Sequence, residues 1–145
     1  MEQVKDVPAY IRKMYENNNF MVNFGVKIGE IRNGSAEVSL QLDPAKHFNH
    51  NGVCHGGALL ALADSVLGVT GASVGCKVAT LSYNMNFIRN VHHATKVTVH
   101  GRIVHSGRTT MVIQSEMRDQ DNVLMAEIAT TMFVMGHYEE IPAKW

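Results

Sequence analysis

The sequence predicts an α+β fold in which a curled antiparallel sheet wraps around one central, buried helix. Two observations lead to this prediction. Several short segments alternate apolar and polar side chains with a period of two, which is typical of strands that bury one face. The segment from Gly57 to about Thr70 instead spreads apolar residues around most of a helix circumference, so it needs cover on nearly every side. An antiparallel sheet provides that cover by curling around the helix.

The elements follow one another as helix, two strands, buried helix and four strands. Val7, Tyr10, Ile11 and Met14 have the i, i+3, i+4, i+7 spacing of an amphipathic helix, which we place at about 7–18. The stretch SAEVSLQL alternates strictly, and RNGS before it fits a hairpin turn. Four further strands, all expected to be linked by hairpins, are predicted near 79–89, 96–106, 109–118 and 123–135.

A sheet curled around a single helix is the hotdog architecture, and we expect one such domain over residues 1–145. Its core runs from about 24 to 135 and a short C-terminal tail follows. The 46% apolar content suits one globular core, and no repeat, low-complexity segment or linker divides the chain. One side of the helix needs a second cover, which another copy of the sheet supplies most simply. We therefore expect a homodimer or homotetramer that associates through the sheet.

Charge and cysteine content limit the location and the partners of the chain. Thirteen basic and thirteen acidic side chains give a formal net charge of zero, so no overall field attracts nucleic acid or an anionic membrane. The N-terminal stretch has no signal-peptide pattern, and no segment approaches the roughly 18 uninterrupted apolar residues of a membrane span. Two cysteines, Cys54 and Cys76, make no disulfide scaffold, and free thiols favour a cytoplasmic location.

Asp64 places one carboxylate in the apolar helix, between ALLALA and SVLGV. A helix carboxylate ordinarily faces solvent or caps a neighbour. Here the flanking residues leave little solvated surface, so we expect Asp64 at a cleft or an interface and at least partly buried. Burial makes a carboxylate a stronger base. Asp64 is therefore a candidate general base.

The CHGG segment stands where a loop becomes the helix. Glycines there leave backbone N–H groups accessible at the positive end of the helix dipole, so Gly56 and Gly57 are candidates for an oxyanion hole. A tight turn is the structural alternative. His55 either makes a structural hydrogen bond or positions the substrate. Asp64 follows His55 by nine residues, about two and a half turns, so a partner subunit is expected to supply the carboxylate at each oxyanion hole.

Together these residues resemble the PaaI-like (phenylacetic-acid-degradation type) hotdog thioesterases. The motif of that family is Asn, two residues, Gly, two residues, His-Gly-Gly, and an acidic residue on the helix. In this chain it reads Asn49, Gly52, His55, Gly56, Gly57 and Asp64. The segments LSYNMNFIRN and VHSGRTTMV resemble the third strand and the Gly-Arg hairpin of the family. The resemblance spans roughly Phe24 to Val134 and leaves out the N-terminal helix and the tail GHYEEIPAKW.

The resemblance implies hydrolysis of an acyl-CoA thioester to a carboxylic acid and free CoA, without a cofactor. Asp64 is then the general base for a water or the nucleophile that forms a mixed anhydride, and the Gly56 N–H stabilises the oxyanion. Asn49 holds the water or orients the thioester, with an Asx turn as the structural alternative. Ser82 helps to position water; an ordinary surface serine is the alternative, because the strand pattern puts it in one polar row with Thr80, Asn84 and Asn86, opposite Tyr83.

CoA carries several phosphate charges, which need cationic partners. Arg89 at a strand end and Arg108 in the SGR turn are the candidate contacts, with solvated surface arginine as the alternative for each. No metal is expected, because His47, His50 and His55 belong to no H-E-x-x-H motif or Cys/His array at zinc spacing.

Two other functions stay open. A hotdog dehydratase acting on 3-hydroxyacyl thioesters uses a histidine and a helix carboxylate, and HFNHNG contains such a histidine, but the His-Gly-Gly spacing favours a thioesterase. A non-enzymatic acyl-CoA-binding module is the second alternative. A regulatory module of that kind usually carries a DNA-binding appendage, and the stretch before Phe24 has no helix-turn-helix or basic patch.

Overall fold

The computed structural model describes residues 2–145. A six-stranded antiparallel sheet packs around the longest helix, which confirms the predicted α+β arrangement. No helix in this part of the chain is long and apolar enough to cross a membrane. In chain order the elements are α1 (Val7–Tyr15), α2 (Asn19–Phe24), β1 (Lys27–Arg32), β2 (Ser35–Gln41), α3 (Pro44–His47), α4 (Gly56–Ala72), β3 (Cys76–Phe87), β4 (Lys96–Ser106), β5 (Thr110–Arg118) and β6 (Leu124–His137).

The strands lie in the order β1-β2-β4-β5-β6-β3. Because β3 and β4 are not neighbours, the prediction that hairpins link all four C-terminal strands is wrong. Hairpins join β4 to β5 and β5 to β6, whereas segment 88–95 carries the chain from the β3 edge across the end of the sheet to β4. Turn residues in that segment show where the chain changes direction, and they do not determine which strand becomes the neighbour.

α4 occupies the centre of the fold and packs against β2, β3, β4 and β5. Leu62 and Val66 are fully buried, and the buried Thr70 hydroxyl donates to the Val66 carbonyl oxygen at 2.7 Å. One strip of the helix stays open: beyond the first turn, its exposed or half-buried residues are Leu60, Ala61, Asp64 and Gly68. These positions fall on one helix face. The chain therefore leaves α4 uncovered on one side, as the sequence predicts.

The N-terminal region forms two helices: the predicted helix begins at Val7 but ends at Tyr15 rather than at about 18, and a second helix that no pattern predicted follows it. Asp6 caps α1, its carboxylate accepting from the Ala9 N–H at 3.0 Å. Asn18 then caps α2, its side-chain oxygen accepting from the Met21 N–H at 3.0 Å. Asparagine is a strong N-cap, so the ENNN sequence ends the first helix and begins another. α2 contributes Phe20 and Met21 to a cleft that α4 also lines.

The two edges of the sheet differ in accessibility. At the β1 edge the Arg12 guanidinium donates to the carbonyl oxygens of Ile28, at 2.8 Å, and Gly29. The β3 edge is longer, with 12 residues against 6, and it exposes Leu81 and Phe87 to 59% and 50%. An exposed apolar edge strand is a template for pairing with another strand. β3 is therefore the edge suited to association.

Candidate active site

The N-terminus of α4 carries one unused backbone donor. His55 is the N-cap residue, and its Nδ1 atom accepts from the Gly57 N–H at 3.1 Å. The N–H groups of Ala58 and Leu59 donate to the His55 carbonyl oxygen. Among the described residues nothing accepts from the Gly56 N–H. Gly56 therefore remains a candidate oxyanion-hole donor, whereas the prediction that Gly57 offers a second free donor is wrong.

His55 makes a structural hydrogen bond as the N-cap of α4, which was one of the two roles predicted for it. Since its Nδ1 atom is an acceptor, the neutral imidazole carries its proton on Nε2. The residue is exposed, so the Nε2–H group is accessible to a ligand. Capping and substrate positioning use different nitrogen atoms and are compatible.

Asn49 shapes the loop that leads into α4. Its Oδ1 atom accepts from the N–H groups of Asn51 at 2.9 Å and Val53 at 3.2 Å, which is the Asx-type turn foreseen as the structural alternative. The side-chain oxygen is thereby occupied. Only the Nδ2 atom of the Asn49 amide is left to contact a water or a thioester. If Asn49 has the predicted role, it therefore acts as a hydrogen-bond donor.

His47 anchors the same loop. Its Nδ1 atom accepts from the Asp43 N–H at 2.9 Å, and its carbonyl oxygen accepts from the His55 N–H at 2.7 Å. Burial is the main cause that lowers the pKa of His47. Residues 2–145 contain no group of three or more His, Cys, Asp or Glu side chains arranged to hold a metal. His47 therefore stabilises the turn that presents His55 and Gly56.

Asp64 lies on the open strip of α4, and its carboxylate is held from β3. The hydroxyl groups of Tyr83 and Thr80 both donate to Oδ1, the latter at 3.2 Å. Within residues 2–145 the Oδ2 atom has no hydrogen-bond partner. Asp64 lines a cleft, as the sequence predicts, but within one chain its side chain is exposed because the sheet of the same chain leaves this strip open. Its burial at an interface stays a prediction.

A bulge in β3 decides which side chains reach Asp64. The register shifts by one residue between Thr80 and Ser82, which leaves Leu81 unpaired. The alternation reverses there, so Thr80 and Tyr83 lie on the same, helix-facing side. The predicted row of Thr80 with Ser82, opposite Tyr83, is therefore wrong. Ser82 lies on the outer face of its own chain, away from Asp64, and its role in positioning water stays a prediction.

Asp64 and the free N–H of Gly56 are far apart in one chain. Both belong to α4, eight residues from each other. At 1.5 Å per residue the separation along the helix is about 12 Å. One thioester carbonyl group cannot contact both, so a single chain contains two halves of a site rather than a complete one.

A cleft of about 400 Å³ opens beside Asp64. Phe20 and Met21 of α2 form one wall, and α4 and β3 form the others. Tyr15 closes one side above Gly68, where an added Cβ would lie 2.5 Å from the Tyr15 hydroxyl oxygen. The cleft lining combines apolar side chains such as Phe20 and Met21 with polar ones such as Asn18 and Thr80, so the cleft has room for part of a small ligand beside the carboxylate.

Arg89 and Arg108 lie at opposite ends of the sheet. The Arg89 N–H donates to the Met125 carbonyl oxygen near the start of β6, whereas Arg108 is in the turn whose Thr109 oxygen accepts from the Val134 N–H. Nine strand residues separate these positions on β6, about 30 Å at 3.4 Å per residue. Both arginines are exposed. At that separation the two arginines of one chain do not form a single anion-binding cluster.

An antiparallel sheet curled around a helix that carries Asp64 and begins with His-Gly-Gly defines a PaaI-like hotdog thioesterase. The thioesterase superfamily model matches residues 51–126, which include Gly56 and Asp64. The chain belongs to this superfamily and is a thioesterase.

Relatives of this chain have the same fold. Acyl-coenzyme A thioesterase PaaI of Escherichia coli is 27% identical over 113 residues, 78% of this chain and 80% of the relative. The solved structure of the E. coli PaaI protein gives a TM-score of 0.85 at 23% identity, covering 91% of this chain and 95% of that one. A hypothetical thioesterase of Streptococcus pneumoniae, solved with coenzyme A, gives a TM-score of 0.75 at 27% identity, covering 82% and 99%. Variants of that protein replace an aspartate and a threonine sixteen positions apart.

Proposed function

We propose that this thioesterase hydrolyses acyl-CoA to a carboxylic acid and free CoA. The main support is the Asp64 carboxylate, held by two neutral donors beside a cleft whose lining includes the apolar side chains of Phe20 and Met21. The free N–H of Gly56 adds the second element that acyl transfer needs. The Streptococcus relative binds coenzyme A, and its replaced aspartate and threonine have the spacing of Asp64 and Thr80.

The proposed reaction uses the residues in the following roles. Asp64 takes a proton from a water whose oxygen attacks the thioester carbonyl carbon. The Gly56 N–H donates to the oxyanion that forms, and the C–S bond then breaks to release CoA as a thiolate, which takes up a proton. A thiolate is a good leaving group, so the site needs no strong acid. In the alternative route Asp64 attacks the carbonyl carbon itself, and water then hydrolyses the mixed anhydride.

Two copies of the chain complete this site in our proposal. The 12 Å between Asp64 and Gly56, about eight helical residues, requires that one copy supplies the carboxylate and the other supplies the N–H. Two features of the fold support association at this place: the open strip of α4 and the exposed edge strand β3. The assembly is then a homodimer, or a homotetramer built from two such dimers, with active sites between subunits.

The arginines fit the same two-copy arrangement. An added Cβ at Gly56 would lie 3.5 Å from the Phe87 ring, so the end of β3 that leads to Arg89 is beside the oxyanion donor. Arg108 lies at the other end of the sheet. A composite site therefore has Arg89 of one copy and Arg108 of the other as its candidate phosphate contacts.

The test is an assay of the purified protein with CoA thioesters of short, long and aromatic acids. We expect free thiol to be released from at least one of them, and the Asp64→Asn variant to release little. Enoyl-CoA formed from a 3-hydroxyacyl-CoA without free thiol would establish the dehydratase alternative. Binding of acyl-CoA without release of thiol would establish the binding-module alternative.

A further inference from the structure

Tyr83 contacts the proposed catalytic carboxylate, although no pattern in the sequence assigns it a role. We propose that Tyr83 is a positioning residue: with Thr80 it fixes Asp64 through Oδ1 and leaves Oδ2 as the oxygen that reacts. This inference rests on the proposed function of Asp64. Beyond that function, the positioning role specifies that Oδ2 takes the proton or attacks the carbonyl carbon. It also specifies that Tyr83 selects this atom.

The geometry of the two donors supports this assignment. Both hydroxyl groups donate to Oδ1, and both come from the helix-facing side of β3, at positions on either side of the Leu81 bulge. A carboxylate oxygen offers two in-plane lone pairs, so two donors use both. Oδ2 keeps its lone pairs free for a water or a carbonyl carbon.

Tyr83 is suited to orient the carboxylate without neutralising it. Burial, followed by the hydrogen bond to Asp64, raises the pKa of Tyr83 to about 12. The phenol therefore stays protonated, and remains a donor, through the whole range of a practical assay. An arginine or lysine here would place a full positive charge on the base or nucleophile and reduce its reactivity.

Orientation matters because Asp64 is exposed on the open strip of α4. An unrestrained aspartate on a helix surface turns about both side-chain torsions. Tyr83 and Thr80 restrict these rotations from a strand, which is a more rigid support than a loop. A carboxylate held in reactive geometry contributes to kcat, because the rate depends on the fraction of time that the reacting atoms are aligned.

The kinetic test compares the variant Tyr83→Phe with the control variant Tyr10→Phe. Tyr10 lies on α1, outside the proposed site. We expect kcat of Tyr83→Phe to fall about tenfold, with KM changed less than about twofold and the melting temperature near the wild-type value. Tyr10→Phe should keep wild-type kcat. Unchanged kcat in Tyr83→Phe, or a rise in KM alone, would overturn the proposal, since Tyr83 would then only line the site.

A spectroscopic measurement tests the contact independently of turnover. In protein labelled with ¹³C at the tyrosine ζ carbon, the Tyr83 signal should titrate near pH 12 and shift to lower pH in Asp64→Asn. A merely structural phenol would titrate alike in both proteins, which would overturn the proposal. Failure of the proposed function looks different: the wild-type protein would then release no thiol from any acyl-CoA, and the positioning role would fall with it.

Discussion

The Nδ1 atom of His55 accepts the Gly57 N–H at 3.1 Å, so the histidine closes the first turn of the helix that it precedes. The exposed Nε2–H is left for a ligand. His55→Asn should therefore keep the cap, because asparagine is a strong N-cap, but its remaining Nδ2 donor lies closer to the backbone than Nε2–H and does not reach the same ligand. His55→Ala loses both, and should lower the free energy of unfolding by about 1 kcal/mol. Melting curves and kcat/KM of the two variants separate the roles. If His55→Asn keeps full kcat/KM, His55 only caps the helix.

Asp64→Asn should abolish most turnover and leave the fold intact. Asparagine keeps the shape and an acceptor oxygen for Tyr83 and Thr80, but it takes no proton near neutral pH and is a poor nucleophile. Loss of a general base costs about 10²- to 10⁴-fold in rate. Thiol release and the melting temperature are measured side by side. A variant with more than about a tenth of wild-type kcat would contradict the assignment.

Gly56→Pro removes the proposed oxyanion donor and little else. Gly56 is the first residue of α4, where proline is favoured, and His55 before it is already extended at φ −63° and ψ 131°. Gly56→Ala is the matched control, because it retains the N–H and its Cβ would meet Phe87 at an ordinary 3.5 Å. We expect a loss of about 10²- to 10³-fold in kcat for proline and a much smaller loss for alanine. Equal losses in the two variants would remove the Gly56 N–H from the mechanism.

Mixing two inactive variants tests whether the site is shared between copies. In a dimer of Asp64→Asn with Gly56→Pro, one site combines both defects and the other combines both intact groups. After subunit exchange in equal amounts, activity should return to about a quarter of the wild-type value, since half the dimers are mixed. A site contained within one chain would give no recovery. Sedimentation at the assay concentration should show no active monomer.

Arg89→Ala and Arg108→Ala should each raise KM for acyl-CoA about 3- to 10-fold and leave kcat largely unchanged. Phosphates far from the thioester contact the protein alike in the ground state and the transition state, so only binding weakens. Arg32→Ala serves as the charge control, because Arg32 pairs with Glu30 on β1 at 2.7 Å. Unchanged KM in both test variants would make these arginines ordinary surface residues.

The parts of the fold that depend on local signals are predictable from the sequence. Apolar spacing and turn residues place α4 and strands β4 to β6 within a few residues of their observed bounds. The start of α4 at the His-Gly-Gly turn is also predicted from such a local signal, because glycines mark the change from loop to helix. The position of β3 beside β6 depends on contacts distant in sequence, and no local pattern contains it.

The site is less predictable because its details depend on one extra strand residue. The bulge at Leu81 moves Tyr83 to the side of Asp64 and leaves Ser82 on the other. A bulge without glycine has no clear signature in sequence, so strict alternation assigns both residues to the wrong face. The exposure of Asp64 within one chain is also hard to predict. Its buried neighbours on α4 face the sheet of the same chain, so only a surface outside that chain would cover the carboxylate.

The hydrogen bonds from Arg12 to the carbonyl oxygens of Ile28 and Gly29 have a consequence for the size of the assembly. A sheet with two free edges adds strands at both ends and grows into a fibre. Here one guanidinium occupies two backbone acceptors at the β1 edge, so the longer β3 is the more accessible edge. Two chains that pair through β3 use both free edges, and the continuous sheet ends on each side in a blocked strand. In the proposed dimer, growth along the sheet therefore stops at two chains.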